Sequence, residues 1–414
     1  MNLVEPWNDF EPGSAVSSRR LSTWIYPSAC VAVPAYAFSF FSEVPRSPQL
    51  GDVLLVEAAN IGRSMFVEDS FGCCIPIFPG SQLLAVVAPE LHCDALDTKL
   101  TVNLSAESEL SLLNTGGTVG RVVRQDGSSE RLTSVLVKSA FRNRAGEVVN
   151  TALYGKQSWY PLITKAKQGR TIVGVVNSAK DTYRHDISGW SSATKALVYA
   201  LASAGHTVTA GRVSGNAARR ELRLLRAAGA DHVADYVQLG YPTTSGLDKD
   251  TQALLFWQIY QMLVEKSSPG GFVLLEFSES IFSEDTLQRL RQPDVRYLLD
   301  HLVISGRGVD DLQQASQLAR TSLKIGSILL SSPAAGSAAF ASQLAERHIP
   351  HPCFDPLVVN IAHVAALLQP TRSKFEIERI QGKNTDSNNS TQELPKLITA
   401  QTPPKTAISE PPKE

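Results

Sequence analysis

A chain of 414 residues, 43% of them apolar, can bury a sizeable core and is long enough for two or three domains. A formal charge of -1 without a long basic stripe gives no electrostatic footprint for nucleic acid or a membrane surface, and no uncharged run reaches the ~18 residues that a spanning helix needs. The five cysteines are odd in number and scattered, which argues against a disulfide framework and fits a reducing cytoplasm.

Residues 1–20 carry Pro, Gly and Ser without apolar periodicity and read as a flexible lead-in. Arg19 and Arg20, the apolar stretch to Phe41 and the small residues Ala35 and Ala37 imitate a secretory signal. Pro27 and Pro34 interrupt its helix, and a pair of β-strands is the plainer reading. From 21 to 155 short β-branched runs alternate with turn signals such as Gly51-Asp52, Pro79-Gly80 and Asp126-Gly127, the pattern of a small β-barrel or sandwich. Within it, Cys73-Cys74 and His92-Cys93 invite a zinc reading. Neighbours on a strand point to opposite faces and do not easily converge on one metal, so the cysteines read as small core residues.

Residues 156–169 read as a linker, after which strand and helix alternate. The predicted strands are 171–178, 207–213, 232–236, 272–277, 301–305 and 327–330. The predicted helices between and after them are 191–203, 217–228, 250–265, 284–290, 310–321 and 337–347. This alternation predicts an α/β domain over 170–370, a mostly parallel sheet with helices on both faces, preceded by the smaller β-rich domain. Residues 371–414 are polar, lack periodicity and read as a disordered tail.

The stretch 170–215 is one βαβ unit: the run 171–177 (TIVGVVN), a polar loop, an Ala/Leu-rich helix ending LASAG at 201–205, and VTAGRVSG at 208–215. In such units the first loop leaves the carboxyl end of a parallel strand, where backbone amides and the helix N-terminus hold phosphate. A phosphate loop would read G-x-x-x-x-G-K-[ST]. Here 177–194 reads NSAKDTYRHDISGWSSAT, longer than the motif and without a lysine directly before a hydroxyl residue.

These residues resemble the start of a dethiobiotin-synthetase-like P-loop NTPase. To about Pro370 the chain is similar to a bacterial family that joins a small β domain to such an NTPase domain. The segments that carry the resemblance are 51–62 (GDVLLVEAANIG), 226–236 (RAAGADHVADY), 274–282 (LLEFSESIF) and 300–305 (DHLVIS), in that order. The resemblance implies a nucleotide site, with ATP and Mg²⁺ as cofactors wherever binding is retained. It places the phosphate loop among Asn177, Ser178, Lys180, Ser191, Ser192 and Thr194, with Thr194 offering a hydroxyl to Mg²⁺. Lys180 stands in as a substitute cation, and Arg212 is where the synthetases carry a basic residue. Arg212 reads equally as an ion-pair partner of Asp231 or Asp235.

Glu276 closes a buried apolar run, the place for an acid that holds Mg²⁺ or polarises a nucleophile, and Asp235 is the second carboxylate. Gly306 and Gly308 lack the third glycine of a dinucleotide fingerprint. Two functions follow as expectations. One is a cytoplasmic degenerate NTPase-fold protein, a pseudoenzyme with weak or lost nucleotide binding, in a regulatory or assembly role with a protein partner or a second copy. The other is an active ATP-dependent ligase or phosphotransferase that uses Lys180 and Glu276.

Overall fold

The computed structural model describes residues 12–89, 91–92, 96–99, 104–125, 132–155, 167, 169–179 and 190–368. The expected linker therefore lies almost wholly outside the described residues, and the tail and residues 1–11 lie entirely outside them. Two large sheets fall within one unit, Met1–Gln369.

After a short helix α1 (Ser18–Leu21), the first part of the chain supplies β1 (Phe40–Ser42), β2 (Val53–Asn60), β3 (Phe66–Glu68), β4 (Cys74–Pro76) and β5 (Gln82–Val87). It continues with β6 (Leu91–His92), β7 (Leu96–Lys99), β8 (Glu109–Leu112), β9 (Thr118–Gln125) and β10 (Ser134–Arg142). β10 pairs with β2, β2 with β5, β5 with β9, β9 with β8, and β8 again with β10, so five strands close into a small barrel. Closure removes the open edges of those strands. Alternate residues of β2 serve two cores. Leu54 and Val56 join Leu83, Ala85, Val119 and Val135 in one, while Val53 and Leu55 pack with Trp24, Phe38, Phe41 and Phe141 in the other.

Residues 21–39 are not the pair of strands that their apolar content suggests. Pro27 and Pro34, with φ of -76° and -74°, each open a single 3₁₀ turn, at Ser28–Cys30 and Ala35–Ala37, and only Phe40–Ser42 pairs as a strand. Proline presets φ for such a turn and withholds the N–H that a ladder needs. Gly13 and Val16 bond to Phe41 and Ser39 alongside β1, so the end of the lead-in is held against the sheet. Cys74 is exposed and Cys73 half-buried, with Arg223 Nη1 at 3.1 Å from its sulfur, so neither is a core residue. Among the described residues no three metal-binding side chains come together.

A one-turn helix α2 (Thr151–Tyr154) leads on to the second sheet, made of β11 (Thr171–Asn177), β12 (Val208–Arg212), β13 (His232–Asp235), β14 (Phe272–Ser280), β15 (His301–Ser305), β16 (Ile328–Ser331) and β17 (Cys353–Phe354). Their order is β13-β12-β14-β11-β15-β16-β17, and every pair is parallel. The central strand β11 is buried over six of its seven residues, as a strand covered on both faces must be.

α3 (Trp190–Ser203), α4 (Arg220–Ala227) and, at the chain's end, α10 (Ile361–Leu367) cover one face with Leu197, Leu201, Leu222, Leu225 and Val364. The other face carries α5 (Lys249–Lys266), α6 (Glu284–Arg291), α7 (Pro293–Leu298), α8 (Val309–Thr321) and α9 (Ala338–Glu346), through Phe256, Leu290, Leu298, Leu312 and Phe340. From β11 and β12 the chain crosses toward β13; from β14 and β15 it crosses the opposite way. The carboxyl ends of β11, β12, β14 and β15 therefore flank the points where the winding reverses, which is where open α/β sheets form crevices.

Barrel and parallel sheet meet through polar groups that find partners across the join. Ser28 Oγ donates to the Ala217 carbonyl at 2.6 Å, the Arg220 amide donates to Glu68 Oε2 at 2.7 Å, and Thr151 Oγ1 donates to the Gly240 carbonyl at 2.7 Å. Gly155 is needed for close approach, since a Cβ there would overlap the Leu239 carbonyl. Gly155→Ala is expected to destabilise the chain by about 1–3 kcal/mol, the usual cost of overpacking a tight site. An unchanged urea midpoint would show that the join yields freely.

Candidate active site

The carboxyl edge of the parallel sheet places three charges in a row. Arg212 is in register with Asp235 on one side and with Glu276 on the other. Their strand neighbours Ala210 and Leu274 belong to the core under α3 and α4, so the row faces those helices.

Glu276 is fully buried, as is Thr194 in the first turns of α3. Burial drives the Glu276 carboxyl up to about 7, against the pull of the Arg212 charge and of the Thr194 hydroxyl. That hydroxyl is close enough to lower the carboxyl's proton affinity, yet among the described residues neither it nor either carboxylate oxygen completes a hydrogen bond. Buried polar groups without partners are rare and expensive. A carboxyl titrating near neutral pH at a crevice is equipped for proton transfer or for holding a cation.

Arg212 is almost wholly buried and makes none of the ion pairs that its sequence neighbours suggest. Its guanidinium donates to the Ala218 carbonyl, to the Asn216 carbonyl at 3.4 Å and to Ser278 Oγ at 3.3 Å. Burial works against its charge, but Tyr236, Glu276 and Asp235 more than offset this and raise its pKa. Gly215, at φ 123°, lets the loop after β12 fold back over that guanidinium, and a Cβ there would press on Arg212 Nη2 and Ser278. Asp231 instead accepts the Val208 amide at 2.8 Å.

Asp235 is fully buried and answers to Arg219, whose Nε donates to Oδ2 at 2.8 Å; the Gln238 amide donates to Oδ1 at 3.2 Å. Lys195, next to Thr194, pairs with Glu221 of α4 at 3.0 Å.

Asn177 ends β11, where its Oδ1 accepts the Ala179 amide at 3.0 Å. Ser178 follows, buried, its amide on the Ser305 carbonyl and its hydroxyl against Gly306, without a partner among the described residues. Ser192 is half-buried in the first turn of α3, and Ser191 is described there by its backbone alone. Lys180 lies outside the described residues. The structure thus brings Thr194, Arg212 and Glu276 together, sets Asp235 beyond Arg212, and puts Asn177 and Ser178 at the end of the neighbouring strand. Arg219 and the Lys195–Glu221 pair were not foreseen; a basic residue at the start of the predicted helix 217–228, facing an acidic strand end, was the available signal.

Fold and site define a parallel α/β protein with an acid and hydroxyl buried together at the carboxyl edge of its sheet. No family model matches the chain, and no curated protein matches it in sequence. Among solved structures it is similar to chloroplast FtsY from Physcomitrella patens, at 17% identity and TM-score 0.33 over 49% of this chain and 68% of that one. It is also similar to the signal recognition particle receptor FtsY from Elizabethkingia anophelis in complex with GDP, at 11% and 0.33 over 53% and 69%. A third is HypB from Helicobacter pylori in complex with nickel, at 12% and 0.24 over 54% and 93%. With every TM-score well under one half, the strand order of the chain itself, not these neighbours, defines its fold. No helix among the described residues is long and apolar enough to cross a membrane.

Proposed function

We propose that this chain is a P-loop-NTPase-fold protein whose nucleotide binding is weakened, and that it serves a regulatory or assembly role through a protein partner or a second copy of itself. The observation that carries this reading is the commitment of the two cations described at the site, Arg212 and Lys195. Arg212 is tied to two backbone carbonyls and a serine, and Lys195 to Glu221. A phosphate cradle needs a cation free to turn outward. The test is turnover: the purified chain is expected to hydrolyse ATP no faster than a blank with Mg²⁺, and Mg²⁺-dependent hydrolysis abolished by Glu276→Gln would overturn the reading.

A second reading, an ATP-dependent ligase or phosphotransferase with Lys180 as its cation, draws on the unsatisfied oxygens of Glu276 and Thr194. That pair fits a Mg²⁺ ion, a hard cation content with one or two protein oxygens plus waters and phosphates, whose chemistry would be to neutralise charge on the phosphates. Glu276 must lose its proton to serve, so Mg²⁺·ATP binding is expected to strengthen about tenfold per pH unit below 7 and to level off above it. Calorimetry from pH 5.5 to 8 checks this. Micromolar binding that Lys180→Ala weakens belongs to this second reading, and heat independent of pH would count against Glu276 as the cation's ligand.

A further inference from the structure

α4 begins without a cap of its own. Arg219, at its N-cap position, makes no side-chain cap bond, and the first amide of the helix, that of Arg220, donates instead to Glu68 Oε2 of β3 at 2.7 Å. Glu68 is 4% exposed, and its other oxygen accepts Thr115 Oγ1 at 2.6 Å. An acid against the first turn of a helix satisfies an orphan amide and meets the positive end of the helix dipole. The tip of the β3–β4 hairpin closes over the same turn. Gly72, at φ 77°, lies so near that a Cβ on it would stand 2.9 Å from Arg220 Cα and 3.0 Å from the Arg219 carbonyl oxygen. Cys73 Sγ, beside it, lies 3.1 Å from Arg223 Nη1, one turn further along α4.

Glu221 is the next residue of that first turn. It holds Lys195 of α3 at 3.0 Å, and both side chains are mostly buried. Burial is the largest influence on the Glu276 carboxyl, but Glu221 raises its proton affinity and Lys195 lowers it, so the pair stands within electrostatic reach of the site. Arg212 is tied to backbone carbonyls of its own loop, whereas Lys195 is held by one side chain on a covering helix. A barrel acid thus sets the first turn of α4, and that turn supplies the counter-ion of Lys195.

We propose that the β3–β4 hairpin is an autoinhibitory latch: by capping α4 it keeps Glu221 on Lys195, where the carboxylate takes the place of a phosphate oxygen. Displacing the hairpin frays the first turn of α4, while Arg219, bound to Asp235, keeps the preceding loop on the sheet. Lys195 then loses its carboxylate beside Thr194 and Glu276, and its charge is free for the phosphates of a nucleotide. Apparent affinity scales with the fraction of chains in which the lysine is free. A helix cap or a single buried hydrogen bond is worth about tenfold in an equilibrium constant, so the latch is graded and not absolute. It rests on the weakened-binding reading and names what weakens the binding.

The test uses the full chain and two readouts. The first needs no ligand: trace acetylation by acetic anhydride, with each lysine followed by mass spectrometry. Glu68→Ala, which removes the cap, and Gly72→Ala, which presses on Arg220, are each expected to raise the reactivity of Lys195 about fivefold and to leave the exposed Lys249 and Lys324 unchanged. The second is calorimetry with Mg²⁺·ATP, in which the same variants are expected to bind about fivefold more tightly than the native chain, the gain vanishing once Lys195→Ala is added. Unchanged Lys195 reactivity overturns the latch, and so does a gain in affinity that survives Lys195→Ala. Should neither variant fold, Arg223→Ala, which removes only the contact to Cys73, decides by the same two readouts. Weak binding by the native chain and by every variant sinks the latch and leaves the weakened-binding reading standing. Micromolar binding by the native chain, with Glu221 still on Lys195, overturns both.

Discussion

Glu276→Gln is expected to leave the chain as stable as before at pH 4 and to make it more stable by about 3 kcal/mol at pH 8. The amide keeps the shape of the protonated acid and cannot ionise. In the native chain the carboxyl titrates at about 7 against an ordinary 4.5. The native state therefore holds its proton more tightly than the unfolded state does. Below 4.5 both states are protonated and nothing is lost. Between 4.5 and 7 the unfolded chain ionises first, so stability falls as pH rises; above 7 the loss is complete, at roughly 1.4 kcal/mol for each pH unit between the two titration points. Every other carboxylate is common to both proteins, so the difference between their urea midpoints across pH isolates this one group. A difference that stays flat from pH 5 to 8 would mean that the Glu276 side chain reaches water or a cation in the folded chain.

How much of this architecture the sequence discloses depends on how far each element is governed by its own residues. TIVGVVN could hardly be anything but a strand covered on both faces, and the strands that follow repeat the signal, so the parallel sheet and its helices were legible. Helix ends moved by one to three residues where caps lie outside the apolar stripe: α4 begins at Arg220 and not at 217, because Asn216 and Arg219 are occupied in the loop. β17 has two residues and α7 opens on a proline, too little pattern for periodicity to register. The short strands were legible as a barrel or a sandwich but the choice between the two was not, because closure depends on β8 pairing with both β9 and β10, a register no local signal encodes.

The site divides in the same way. Glu276 was legible because an acid that ends a run of buried apolar residues stands out. Its pairing with Thr194 was expected only through the resemblance, which gives both residues to Mg²⁺; from the residues alone it requires knowing that α3 covers β14. Arg212 was ambiguous, and the choice fell to backbone carbonyls that no sequence motif marks.

Arg219→Ala is expected to cost about 3 kcal/mol, since it strips the buried Asp235 carboxylate of its hydrogen-bonded ion-pair partner and leaves only the neighbouring Arg212 charge, which is tied to other groups. Arg219 also reaches the Ser70 carbonyl at 3.4 Å, so part of that loss is anchoring of the loop between β3 and β4. The two parts separate in a double-mutant cycle. Asp235→Asn in the Arg219→Ala background removes the stranded charge while keeping the acceptor for the Gln238 amide, and should recover most of the loss; what is not recovered measures the anchor. The cycle also assigns Asp235 its role. A carboxylate that exists to neutralise Arg219 gives a strong coupling energy and leaves Mg²⁺·ATP binding, weak as it is expected to be, unchanged in the double variant. A carboxylate serving a bound nucleotide would give little coupling and a loss of binding in every variant that lacks it, which would move Asp235 from scaffold to site.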